Sequence, residues 1–139
     1  MKILTKNLIF FSIAFMAGAV VFRHGLSYAI GNRLHGLLWA IAGTYFLYNL
    51  LTGWFFGKRD YESLPLFDLG FRFHFAAYLI FNLVSWGWFK FGLESQFEHI
   101  GIVYTTALFW GISLVIHFIF FLALRKESIK GIHKEDIFE

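Results

Sequence analysis

The chain has 139 residues, of which 58% are hydrophobic, 22% aromatic and only 15% charged, with a mean hydropathy of +0.63. Soluble domains run at roughly 45–50% apolar and about 25% charged, so both figures lean towards a membrane protein and exclude a disordered chain or a collagen. A formal charge of +3, from 12 basic against 9 acidic residues spread along the chain, is too small for a nucleic-acid-binding footprint, and the absence of cysteine excludes disulfides, thiolate metal sites and thiol nucleophiles.

Four runs are free of Asp, Glu, Lys and Arg: Leu8 to Phe22, Leu34 to Phe56, Phe73 to Phe89 and Ile100 to Leu124, of 15, 23, 17 and 25 residues. A hydrocarbon core of ~30 Å takes about 20 helical residues. The sequence therefore predicts an all-α integral membrane bundle of four transmembrane helices, over about 7–22, 34–56, 71–90 and 100–124. The first run is short, and Lys6 extends it by snorkelling its ammonium to the headgroups. Met1, Lys2 and Lys6 ahead of an apolar stretch ending in Ala17-Gly18-Ala19 also have the look of a signal peptide; an uncleaved first helix is the expectation.

Basic residues are retained on the cytoplasmic side of short loops. With four spans, Lys2, Lys6, Lys58, Arg59, Arg72, Arg125, Lys126, Lys130 and Lys134 share one side, against Arg23, Arg33 and Lys90 on the other. Both termini are thus expected in the cytoplasm. The connections are short, which favours antiparallel neighbours and a compact bundle, and the single proline, Pro65, falls in the middle loop. Trp54, Trp86 and Trp88 lie where interfacial belts occur, whereas Trp39 and Trp110 lie deeper and read as packing residues. The segment 125–139 reads as a short charged cytoplasmic tail, too short for a domain; Ile129, Ile132 and Phe138 mark one weak apolar face on it.

Within the second helix, Gly36 and Gly43 are seven residues apart and share a face, a spacing that suits close helix contact. Tyr45, Asn49 and Leu50 align with Tyr78, Asn82 and Leu83, an inverted similarity that a phenylalanine-rich chain produces by chance. No H-E-x-x-H, G-x-S-x-G or phosphate-binding glycine loop is present, and no carboxylate lies inside a span. Catalysis is therefore not expected.

The informative residues are in the second half. His74, Tyr78 and Asn82 are four apart on one helical stripe, and Trp110, Ser113 and His117 make another at spacings of three and four. Unpaired polar groups are costly in hydrocarbon, so both stripes are expected to face protein. From the helical rise, measured from Gly70 and Leu124, His74 lies roughly 6 Å, His117 roughly 10 Å and Tyr78 about 12 Å inside the inner boundary. That places these three in one layer, with Asn82, Ser113 and Trp110 in a second. The plain reading is an interhelical hydrogen-bonded layer. Two sharper readings use the same residues: His74 and His117 as axial ligands of a haem b, or a proton relay or quinone pocket formed by His74, Tyr78 and His117. On the outer side His24, His35, His99, Glu94 and Glu98 have no metal-binding spacing, and no metal is expected.

The pattern H-x-x-x-Y-x-x-x-N of His74, Tyr78 and Asn82, followed by W-G-I-x-L-x-x-H of Trp110, Gly111, Ile112, Leu114 and His117, resembles the bacterial two-transmembrane-helix domain family over roughly residues 67–125. The resemblance implies a helical hairpin and a sensory or regulatory role, because members stand alone as small membrane proteins or form the membrane portion of sensor histidine kinases. The loop from Phe91 to His99 departs from it in lacking an aromatic-rich outer segment.

Together these features lead to an expected non-enzymatic sensory, regulatory or accessory subunit of a bacterial cytoplasmic membrane, acting through a protein partner or as a homo-oligomer. A small membrane cytochrome or quinone-interacting electron-transfer subunit is the alternative, and a transporter comes third.

Overall fold

The computed structural model describes residues 5–61 and 66–130, with side chains over 5–61 and 68–124. Four helices follow one another: α1 (Lys6–Gly31), α2 (His35–Asp60), α3 (Leu66–Lys90) and α4 (Ile100–Lys130). The fold is all-α, as the charge-free runs predict, and the helices overrun those runs. Ile132, Phe138 and Pro65 lie outside the described residues.

The largest difference is at α1, expected to stop before Arg23 and found to continue to Gly31. Arg23 does not end the helix because its side chain is buried against a carboxylate, which removes the need for a loop to carry the charge to water. The Thr5 hydroxyl caps the N-terminus by accepting from Leu8 N at 3.1 Å. At the other end Leu34 N donates to Ala29 O and Arg33 N to Ile30 O, the paired bonds of a Schellman turn. That turn needs a left-handed residue, and Arg33 takes it at φ 56°.

Length and composition make α1 and the Ile100–Leu124 part of α4 long and apolar enough to cross a membrane. Helix α1 is the centre of the fold, packed on α2 along one side and on α3 along another, whereas the backbone of α4 approaches α3 alone. The arrangement is therefore an open bundle with α4 on its outside, and no residue in α4's apolar window is fully buried.

The core lies on the α1–α3 seam: Leu8, Phe11 and Phe15 meet Ala77, with Tyr45, Phe56, Phe73, Phe81 and Trp110 packed around them. Phe11 and Phe73 have centroids 4.7 Å apart. On the other side of α1, Gly18 receives the ring of Tyr48, whose Oη donates to Ala14 O at 2.7 Å. A Cβ at Gly18 would stand 2.4 Å from Tyr48 Cε1. Gly36 and Gly43, expected to be the contact glycines, face open space. The seven-residue spacing does mark a helix contact, but the pair that uses it is Gly18 and Gly25 on α1, with Ile41 against Gly25.

The tryptophans are redistributed in the same way. Trp88 is buried, at 8% exposure, because its Nε1–H donates to Ser27 Oγ at 2.9 Å. Trp39, expected to pack, is 75% exposed. Trp54 and Trp86 are exposed.

Candidate functional site

His74 projects between Trp110 and His117, two side chains seven residues apart on α4. The Trp110 Nε1–H donates to His74 Nε2. An indole N–H is a donor only, so His74 Nε2 is unprotonated and the neutral ring carries its proton on Nδ1. That atom lies 3.1 Å from His117 Nδ1, which must accept, leaving the His117 proton on Nε2. The result is a directed chain, Trp110 to His74 to His117. Its last N–H has no partner among the described residues. His74 is half-buried and His117 exposed on α4.

The other expected site residues divide. Tyr78 Oη donates to Ala107 O at 3.3 Å and sits over Gly111, where a Cβ would stand 3.3 Å from the hydroxyl. Asn82 Nδ2 donates to Tyr78 O of its own helix at 2.7 Å, while its Oδ1 is buried without a partner. Ser113 is exposed, against the expectation that its whole stripe faces protein, and makes no hydrogen bond among the described residues. Trp110 belongs with His74 and not with Asn82, because Tyr78 meets α4 at Ala107 and Gly111, more than a turn from His117. Gly70 and Leu124 are not the ends of their helices, so counting from them set the hairpin register wrongly.

Metal–imidazole bonds are about 2 Å, so an iron held by both Nδ1 atoms needs about 4 Å between them. At 3.1 Å, with ring centroids 4.7 Å apart, planes crossed at 90° and both nitrogens of His74 bonded, the pair as it stands does not fit a haem. Among the described residues no three His, Asp or Glu side chains converge as a metal site.

Sequence reasoning missed two further polar clusters, one at each end of the helices. At one end the Asp60 carboxylate accepts from Thr5 Oγ1 and from Asn7 Nδ2, the latter at 2.6 Å. Nearby in sequence Arg72 grips Asp68 through two bonds of 2.7 and 2.6 Å. At the other end Arg23 Nη2 donates to Glu98 Oε2 at 2.8 Å, Glu98 Oε1 accepts from Ser95 N at 3.1 Å, and the Arg23 guanidinium lies 5.3 Å from the centroid of Phe89. Arg23 Nε, Glu94 Oε2 and Ser95 Oγ are buried without a partner, as is Ser85 Oγ on α3. The available signal was Arg23 itself, a lone charge followed by eight more residues with no helix stop.

A groove of about 550 Å³ runs between α1 and α2, lined by Ala17, Val21, Leu37, Ala40 and Tyr45 among others, and is almost wholly apolar. No protein-family model, curated protein or solved structure matches the chain.

Proposed function

We propose that this chain is a four-span integral protein of a bacterial cytoplasmic membrane, with both ends in the cytoplasm, serving as a non-enzymatic sensory, regulatory or accessory subunit that acts through a partner. One observation carries the membrane reading. The Asn7–Asp60 cluster and the Arg23–Glu98 pair are sixteen residues apart along α1, about 24 Å at the helical rise, and Arg72 and Lys90 are about 27 Å apart along α3. Between these two levels the four helices carry no charge except Lys58 and Arg59, in the last turn of α2 beside Asp60. An uncharged slab of that depth, edged by ionic groups on both sides, suits the ~30 Å hydrocarbon core of a bilayer.

Within the slab Trp110, His74 and His117 bond in series and Tyr48 and Tyr78 bond to carbonyls, while Tyr45 Oη, Asn49 Oδ1 and Asn82 Oδ1 are buried without a partner. That pattern supports packing specificity over catalysis or electron transfer. The resemblance of the α3–α4 hairpin to the two-transmembrane-helix domain family supports a signalling role, and the uncovered apolar side of α4 supports action through a partner.

Cysteine labelling in intact cells tests the topology on a chain with no cysteine of its own. Exposed Tyr61 and Gln96 lie beyond opposite ends of the helices. Gln96→Cys should react with a membrane-impermeant maleimide, and Tyr61→Cys should react only after permeabilisation. The reverse pattern inverts the protein, and labelling at both positions rejects four spans.

A further inference from the structure

We infer that α4 is the interface of a parallel homodimer, closed by two symmetry-related hydrogen bonds from His117 of each copy to Ser113 of the other. The inference rests on the reading of α4 as a membrane span. Three observations lead to it. Helix α4 approaches only α3, so most of its circumference is uncovered. The hydrogen-bond chain from Trp110 fixes His117 with its proton on Nε2, and that N–H is unbonded. Ser113, one turn away on the same stripe, presents a hydroxyl that is also unbonded.

A free donor and a free acceptor four residues apart on one helix are complementary to themselves. In a two-fold pair about an axis along the membrane normal, equal residues lie at equal depth, and each contact from residue i to residue j is repeated from j to i. Side chains on a helix lean towards its N-terminus, so the His117 imidazole reaches the level of Ser113. There it meets the partner copy's hydroxyl and not the partner copy's imidazole, whose Nδ1 is already occupied. The serine proton remains free for the Phe109 carbonyl one turn back. His74 lies two residues inside the Arg72 level, so the pair sits at the inner edge of the slab, where the Ser113 hydroxyl of the other copy competes with headgroup water for the His117 N–H. The dimer therefore satisfies both groups at once, in a seam whose flanking positions are Phe109 and Phe120, both exposed in the single chain.

The experiment uses the full chain, purified and reconstituted in phosphatidylcholine vesicles. Oxidative cross-linking of Phe109→Cys and Phe120→Cys should give covalent dimers, while Tyr104→Cys and Leu122→Cys, on the opposite side of α4, should not. By energy transfer between labelled copies, Ser113→Ala should weaken the dimer about eightfold, the square of the factor of about 2.8 that an average interhelical hydrogen bond is worth. Ser113 is exposed and makes no hydrogen bond to another helix among the described residues, so this variant leaves the fold intact. His117→Ala should weaken the dimer similarly, and adding Ser113→Ala to it should cost nothing more, because the two substitutions remove the same bonds. A monomer in vesicles, cross-linking through Tyr104→Cys or Leu122→Cys instead, or an unchanged dimer in Ser113→Ala would each overturn the proposal. A monomer that keeps the expected labelling at Tyr61→Cys and Gln96→Cys removes the homodimer alone and leaves a heterologous partner, whereas altered labelling rejects the membrane reading beneath it.

Discussion

Arg23 and Glu98 stand 75 positions apart in the sequence and 2.8 Å apart in space, with side chains 7% and 2% exposed. This buried ion pair ties the α3–α4 connection to the central helix, beside the approach of Ser95 to Gly31 and of Phe97 to Arg33. Its energetics set the first prediction. Removing one partner of a buried pair strands the other charge, which costs roughly 3–5 kcal/mol, while replacing both by apolar residues is often neutral. Thermal unfolding in mild detergent should show Glu98→Gln strongly destabilised and the double variant Arg23→Met with Glu98→Leu close to the parent. Equal losses in the two would mean that the pair is not buried as described.

The hydrogen-bond chain predicts a graded response. His74→Ala breaks two bonds and His117→Ala or Trp110→Phe one each, so at about 0.6 kcal/mol per interhelical bond the first should lose about twice as much stability as either of the others. Nitrogen NMR of the imidazoles checks the direction of the chain independently of stability. His74 should have its proton on Nδ1 and His117 on Nε2. The opposite tautomers would reverse the donor and acceptor roles.

Glycines supply a contrasting pair. Gly18→Leu drives a side chain into the Tyr48 ring and should cost about 1–3 kcal/mol by overpacking. Gly43→Ala meets open space and should be neutral or stabilising by up to about 1 kcal/mol from helix propensity. Unfolding midpoints of the two variants in one detergent decide the matter, and a destabilised Gly43→Ala would show that α2 has a neighbour on that face.

A visible spectrum separates the structural layer from a cytochrome. The purified protein should lack a Soret band, and added haemin should produce none that depends on His74 or His117. A stoichiometric band abolished in both His74→Ala and His117→Ala would require the two imidazoles to part from their 3.1 Å contact.

The number and type of the helices were legible because four long charge-free runs, separated by short charged connections, each have the length of a helix. The meeting of His74 with His117 was legible too, since a short loop forces α3 and α4 antiparallel and the stripes repeat at helical spacing. The ends of α1 and α2 were not. Arg23 and Asp60 resemble loop residues until their partners are known, and those partners, Glu98 and the pair Thr5 and Asn7, are at least 53 residues distant. Local pattern carries no information about such pairs. The same blindness moved the contact glycines from Gly36 and Gly43 to Gly18 and Gly25: spacing identifies a face, and only the fold says which helix has a neighbour there. Trp39 and Trp88 exchanged roles for a comparable reason, because Ser27 lies on a different helix from the indole it receives.

The central position of α1 has a consequence for biosynthesis. It is made first, yet it completes its contacts last. When α2 follows it out of the ribosome the two can pair at once through Gly18 and Tyr48, but the rings of Phe11 and Phe15 find Ala77 and Phe73 only when α3 has been delivered, and Arg23 finds its carboxylate only after the chain has grown another 75 residues. If α1 spans a membrane as proposed, lipid tails are during that interval an adequate neighbour for the phenylalanines and a poor one for the guanidinium. On that reading the nascent helix is held near the headgroups on the Arg23 side by its own arginine until Glu98 arrives to neutralise it. Translation truncated before that glutamate should leave an α1–α2 hairpin that sits too shallow and is readily cleared by membrane proteases.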